Sequence, residues 1–216
     1  MKRIYLYKMT VDNGGAPCVH NGILSLAICK PKIRSVAPEG AVIFGFAANT
    51  LQRDNRLIYI AKVTKKVDGK VYYGSLEYRS RPDCIYRWNE GGQVFSRTRN
   101  PFHDSNEDLR HDLGDHPEYK KAWVLLSFGY DNFRYFASSR PQNYKATSPK
   151  LKAEIESLTQ GHRVKHDDEL RDELERLERK IFSISLRSKD TPIPSVSSHR
   201  KCPDCSLVDA FTECSP

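Results

Sequence analysis

Asp12-Asn-Gly-Gly-Ala-Pro-Cys-Val-His-Asn-Gly-Ile-Leu-Ser-Leu-Ala-Ile-Cys-Lys-Pro-Lys-Ile-Arg34 brings turn-forming glycines, a short apolar run and several cations into one region. Gly14 and Gly15 accept backbone conformations that a side chain forbids. Pro17 and Pro31 fix their own φ and disfavour helix immediately before them. The segment is therefore expected to hold a defined, non-helical shape, with a buried strand over residues 23–29 carrying Lys30, Lys32 and Arg34 to a sheet edge. Cations on a rigid edge can meet an anion, which makes this stretch the first candidate site.

Outward from it, residues 4–9, 41–47, 56–66, 70–74, 122–127 and 133–137 are rich in Val, Ile, Tyr and Phe and read as further strands. Val67-Asp-Gly-Lys70 carries an Asp-Gly pair between two such runs and predicts a hairpin. Residues 75–121 interrupt the strand rhythm with clustered Arg, His, Asp, Asn and Gly, and read as a long ordered excursion holding one short helix. After Pro149 the period becomes helical. Leu151, Ile155 and Leu158 form one stripe, and Leu170, Leu174, Leu177 and Ile181 form a second that can pack on the sheet or on a partner helix. The expected organisation is a mostly β domain over 1–147, a helical extension over 148–186 and a disordered Ser/Pro/Cys-containing tail over 187–216, an α+β chain overall.

The formal charge of +8 is uneven: residues 1–100 hold 17 Lys and Arg against 7 Asp and Glu, and the remainder 18 against 20. A basic half attracts polyanions, and it also serves solubility. No run approaches the roughly 20 apolar residues of a membrane helix. The basic but interrupted opening Met1-Lys-Arg-Ile-Tyr-Leu-Tyr-Lys-Met9 is unlike a secretion signal, so an intracellular setting with thiols rather than disulfides is expected for the six cysteines.

Within the excursion lie His103, Asp104, Glu107, Asp108, His111, Asp112, Asp115 and His116. Imidazole beside carboxylate can move protons near neutral pH, but the spacing matches no metal motif, and His103 with Asp104 is the pair expected to point into a pocket. His199, Cys202, Cys205 and Cys214 include a single Cys-x-x-Cys pair, too few for a closed zinc site, so neither metal nor cofactor is expected. Gly40 to Gly45 and Gly91-Gly92 lack the Gly-Lys-Ser/Thr of a phosphate loop, and no Gly-x-Ser-x-Gly elbow occurs. Basic residues interleaved with aromatics, as in Tyr86-Arg-Trp88 and Phe133-Arg-Tyr-Phe136, fit base stacking and phosphate contact, or equally a strand that buries its aromatic side.

Asp12-Asn-Gly-Gly-Ala-Pro17, Leu26-Ala-Ile-Cys-Lys-Pro-Lys-Ile-Arg34, Gly40-Ala-Val-Ile-Phe-Gly45, Leu57-Ile-Tyr-Ile-Ala-Lys-Val63, Asp83-Cys-Ile-Tyr86, Leu125-Leu-Ser127 and Phe133-Arg-Tyr-Phe136 together resemble the second nucleotide-modification-associated domain family over about residues 1–145. Gly40-Ala41-Val42 departs from the family's Gly-Asp-Trp-like opening of the central strand. The strand order is similar, more weakly, to PUA-like barrels of the EVE and YTH type. The resemblance implies a PUA-like mixed β-barrel with flanking helices and a connection with modified bases. On that basis Asn13, Gly14, Lys30, Arg34, Tyr86, Arg87, Trp88 and Phe136 are candidate ligand-binding residues. The expected function is binding of a modified nucleobase or nucleotide in nucleic acid. The alternatives are an enzyme using Asp83, His103 and Asp104 for proton transfer or Cys29 as nucleophile, and an interaction module working through the last helix with a protein partner or a second copy.

Overall fold

The computed structural model describes residues 2–137, 143–144, 148–159 and 161–183. Eleven strands follow in chain order: β1 (Ile4–Met9), β2 (Cys18–His20), β3 (Ile23–Leu26), β4 (Val42–Ala47), β5 (Leu57–Lys62), β6 (Lys65–Asp68), β7 (Tyr86–Asn89), β8 (Val94–Arg97), β9 (Trp123–Phe128), β10 (Phe133–Tyr135) and β11 (His162–Arg163). Between and after them lie helices α1 (Pro31–Val36), α2 (Gly69–Gly74), α3 (Asn106–Leu113), α4 (Pro149–Ser157) and α5 (Asp168–Ser183).

The strands form a five-stranded sheet in the order β10-β5-β4-β1-β11, a four-stranded sheet in the order β2-β3-β9-β6, and the separate hairpin β7-β8. β1 and β4 pair in parallel, from Ile4 opposite Val42 to Met9 opposite Ala47. Alternation along β1 sends Tyr5, Tyr7 and Met9 toward the four-stranded sheet, where they meet Leu24, Leu26 and Leu125. Ile4 and Leu6 point the other way, with Val42, Phe44 and Phe46, against Leu151, Ile155, Leu170, Leu174, Leu177 and Ile181 of α4 and α5. Burial on both faces explains the unbroken apolar run of β4 and the run Ile4–Tyr7 of β1. The far face of the four-stranded sheet, with Val67, Val124 and Leu126, is covered by Tyr72 and Tyr73 of α2, Tyr86 and Phe95 of the hairpin, and Leu113 of α3.

The chain is thus α+β in stacked layers. The closed barrel implied by the resemblance is not found among the described residues, because the strands divide between two sheets whose outer faces are each covered. The apolar run 56–66 is where they divide: Val63 donates to Ala41 in the first sheet, and Thr64 donates to Leu126 in the second. The hairpin expected at Asp68-Gly69 is instead a helix start, with the Asp68 carboxylate accepting from Lys70 N and residues 69–74 forming α2 rather than a strand. Asn21-Gly22 makes the tight two-residue hairpin, both residues having positive φ, between β2 and β3. The excursion is ordered as expected and contains α3 together with the β7-β8 hairpin. The proposed tail over 187–216, including Cys202 and Cys205, lies outside the described residues.

Candidate functional site

β3 ends at Leu26, and the strand expected to run on to Cys29 breaks there. Ala27 and Ile28 turn inward, Cys29 (φ 54°) and Lys30 (φ 45°) both take left-handed backbone conformations, and Pro31 opens α1. A left-handed conformation costs a residue with a side chain about 1–2 kcal/mol, so two in succession need strong local support. The Arg34 Nε donates to Cys29 O at 2.6 Å, and Cys29 N donates to Asp112 Oδ1 at 2.6 Å. Neighbouring elements therefore clamp the bend from both sides.

The bend holds Cys29 Sγ 3.4 Å from His103 Nε2, and His103 Nδ1 lies 2.7 Å from Asp112 Oδ2. Asp112 also accepts from the Tyr86 hydroxyl at 2.8 Å and faces Arg34 at 3.6 Å. Burial alone would raise the Asp112 pKa. The His103 charge and hydrogen bond, a hydrogen bond from His111 and the Arg34 charge instead hold it well below the usual carboxylate range. An ionised carboxylate only accepts, so His103 Nδ1 carries the proton toward it and Nε2 faces the thiol. Asn100 fixes the histidine further: its Oδ1 accepts from His103 N and its Nδ2 donates to His103 O, both at 2.9 Å. Thiol, imidazole and carboxylate stand in the order required for nucleophilic catalysis.

These groups border a narrow cleft whose lining includes Met9, Asn13, Cys29, Lys30, Phe102 and His103. Cys29 is 5% exposed and His103 2%, so the pair forms the floor. Asn13 Oδ1 accepts from Gly15 N. A Cβ at Gly15 would stand 2.9 Å from the Phe102 ring, so the cleft wall requires glycine there. The two other described cysteines are different in kind. Burial, reinforced by Asp83, pushes the Cys18 thiol far up, and burial raises Cys84 to about 11.

Of the residues singled out from the sequence, Asn13, Lys30, Cys29 and His103 meet at this cleft, with Gly14 buried in the adjoining turn. Others are placed elsewhere. Arg34 is 0% exposed and donates to the carbonyls of Cys29, Lys121, Trp123 and Asp112, which leaves no face for a phosphate. Tyr86 is fully buried, its hydroxyl spent on Asp112, and has no open face for a base to stack on. Asp83 sits in a separate buried network with Arg81, Ser25 and Tyr72. Asp104 is exposed, and its backbone N–H donates to Asp108. The Arg87 guanidinium bonds the carbonyls of Cys84 and Tyr86, Trp88 packs on Phe95, and Phe136 lies across the molecule against the α4 and α5 core. The interleaved aromatics are thus largely interior packing. The partner of His103 is Asp112 rather than its neighbour Asp104. The available signal was Ser105-Asn-Glu-Asp108, a capping box that starts α3 and puts Asp112 one turn beyond Asp108 on the same face.

Residues 1–199 match the family described as nucleotide modification associated domain 2, and the chain belongs to it. That description ties the chain to nucleotide modification. No curated protein and no solved structure matches. Among the described residues no helix is long and apolar enough to cross a membrane.

Proposed function

We propose that the chain is a cysteine-dependent enzyme acting on a nucleotide or modified nucleobase, with Cys29 as nucleophile, His103 as general base and Asp112 as the group that orients the imidazole. The observation carrying this reading is the continuous relay from Cys29 Sγ through His103 to Asp112 at the floor of a cleft, on a doubly left-handed bend. His103 Nε2 takes the thiol proton as sulfur bonds an electrophilic carbon of the substrate. The resulting imidazolium returns that proton to the leaving group, and water or an acceptor then cleaves the sulfur–carbon bond. Asn13 is the candidate donor to the oxygen that gains charge.

Binding of a modified base without chemistry is the competing reading. It rests on the family resemblance, the basic first half and the aromatic, cationic and polar candidates; of its stacking residues, Tyr86 is buried and Phe136 lies against a different core from Tyr86 and Trp88, so the three do not form one platform. The test is incubation with a panel of nucleotides, modified nucleosides and oligonucleotides, followed by intact-protein and small-molecule mass spectrometry. Expected are a product or a Cys29 adduct, abolished in Cys29→Ala and slowed about 10²–10⁴-fold in His103→Ala. Turnover retained by Cys29→Ala, or thermal stabilisation with no product or adduct from any compound, would overturn the enzyme reading, and the second result would select the reader.

A further inference from the structure

Next to the thiol cleft runs a broader groove lined by Lys30, Pro31, Lys32, Ile33, His111, Gly161 and His162. Lys30 belongs to both walls, so the two depressions meet at the residue beside the nucleophile. Three distant parts of the chain build the groove. α1 supplies Lys32, α3 supplies His111, and β11 returns beside β1, with His162 opposite Tyr7, to supply its imidazole. None of the seven lining residues is acidic, whereas the grooves near α4 and α5 mix Arg53 and Lys152 with Asp54 and Glu156, or Arg176 and Lys180 with Glu173. Lys32 is exposed and makes no ion pair among the described residues. Burial, and then the Lys32 charge, push the His162 pKa down, while His111 Nδ1 on the opposite wall faces the Asp112 carboxylate at 3.7 Å.

We infer that this groove is a phosphate subsite, and that the ligand of the neighbouring thiol cleft is a phosphorylated nucleotide rather than a free base or nucleoside. The inference rests on the proposed function for what lies in the cleft, but not for the anion site itself. The two ammonium groups supply the positive charge, and the His162 ring with the outward nitrogen of His111, whose Nδ1 faces Asp112, adds donors around one concavity, as a phosphate requires. The phosphate can come from a free nucleotide or from the backbone of a strand.

The test uses Cys29→Ser, so that binding is read without turnover, and titrates inorganic phosphate, matched nucleoside and nucleoside monophosphate pairs, and short oligonucleotides at low salt. The nucleotide should bind about tenfold or more tightly than its nucleoside, and the difference should shrink with salt. Lys32→Ala in that background should erase most of this difference and leave nucleoside affinity unchanged, while Lys152→Ala, in a groove of mixed charge, should change nothing. The His162 ring resonances should titrate at higher pH once phosphate is bound. Equal binding of nucleoside and nucleotide, or indifference to Lys32→Ala, overturns the subsite. A Lys32-dependent gain for oligonucleotides alone assigns the phosphate to a strand, and one for mononucleotides alone assigns it to a free nucleotide. Should Cys29→Ala retain turnover in the experiment above while Lys32 dependence persists, the enzyme reading falls and the anion site stands.

Discussion

Arg34 illustrates how far a residue's role depends on where its side chain ends up. Read along the chain it is a cation following Lys30 and Lys32; in the fold it donates to four backbone carbonyls around the relay, and its charge faces Asp112. It holds the Cys29 bend against α3 and supplies the countercharge that the buried carboxylate requires. Arg34→Ala should destabilise the protein by about 3–5 kcal/mol, the range for breaking a buried pair, as measured by urea unfolding. Arg34→Lys should recover little of that, because one ammonium cannot span the carbonyls that the planar guanidinium bridges. A loss of nucleotide affinity with unchanged stability would show instead that Arg34 acts as a ligand. Asn100 acts at the same scale: Asn100→Ala frees both backbone groups of His103 and should slow alkylation of Cys29 by iodoacetamide, scored by peptide mapping, while Cys18 and Cys84 stay unreactive.

At the level of elements, α3 is the piece that turns a loop rich in His and Asp into a site. Ser105 Oγ accepts from Asp108 N and Asp108 Oδ2 accepts from Ser105 N, which fixes the helix start, and Asp112 follows one turn later, facing inward. Ser105→Ala should cost about 1 kcal/mol in chemical denaturation, the usual loss for a helix cap. It should also lower Cys29 reactivity, because Asp112 then orients His103 less firmly. Unchanged reactivity alongside that stability loss would mean that the carboxylate is held by Arg34 and Tyr86 alone. α5 is the opposite case. Its stripe was plain in the spacing of Leu170, Leu174, Leu177 and Ile181, and these four residues cover the five-stranded sheet, so that face is occupied within the chain. α2 shows where local signals mislead: an Asp-Gly pair serves a hairpin turn and a helix cap equally well, and packing of Tyr72 and Tyr73 into the core decided for the helix.

For the molecule as a whole, the layers place an ionised carboxylate in an apolar interior, which links stability to pH. The folded-state pKa of Asp112 is depressed, whereas in the unfolded chain an aspartate titrates near about 3.9. Its contribution is therefore fully present above that value and is lost as pH falls through it toward the native pKa. Stability should drop steeply below about pH 4, followed by urea midpoints at a series of pH values. Asp112→Asn should be less stable near neutrality and decline less steeply in acid. Parallel acid limbs for mutant and parent would remove Asp112 from that role.

By itself the sequence determined the strand-rich body, the two C-terminal helices and the family, because period and composition are local properties that burial on one or both faces imprints directly. It also marked residues 12–34 and His103 as unusual. What only the tertiary structure decided was the division of the strands into two covered sheets and the choice of Asp112 over Asp104 and Asp83. It also decided that the buried Cys29 thiol lies beside an imidazole. Those outcomes depend on contacts between residues 74 and 83 positions apart in the chain, and no local pattern records distances of that kind.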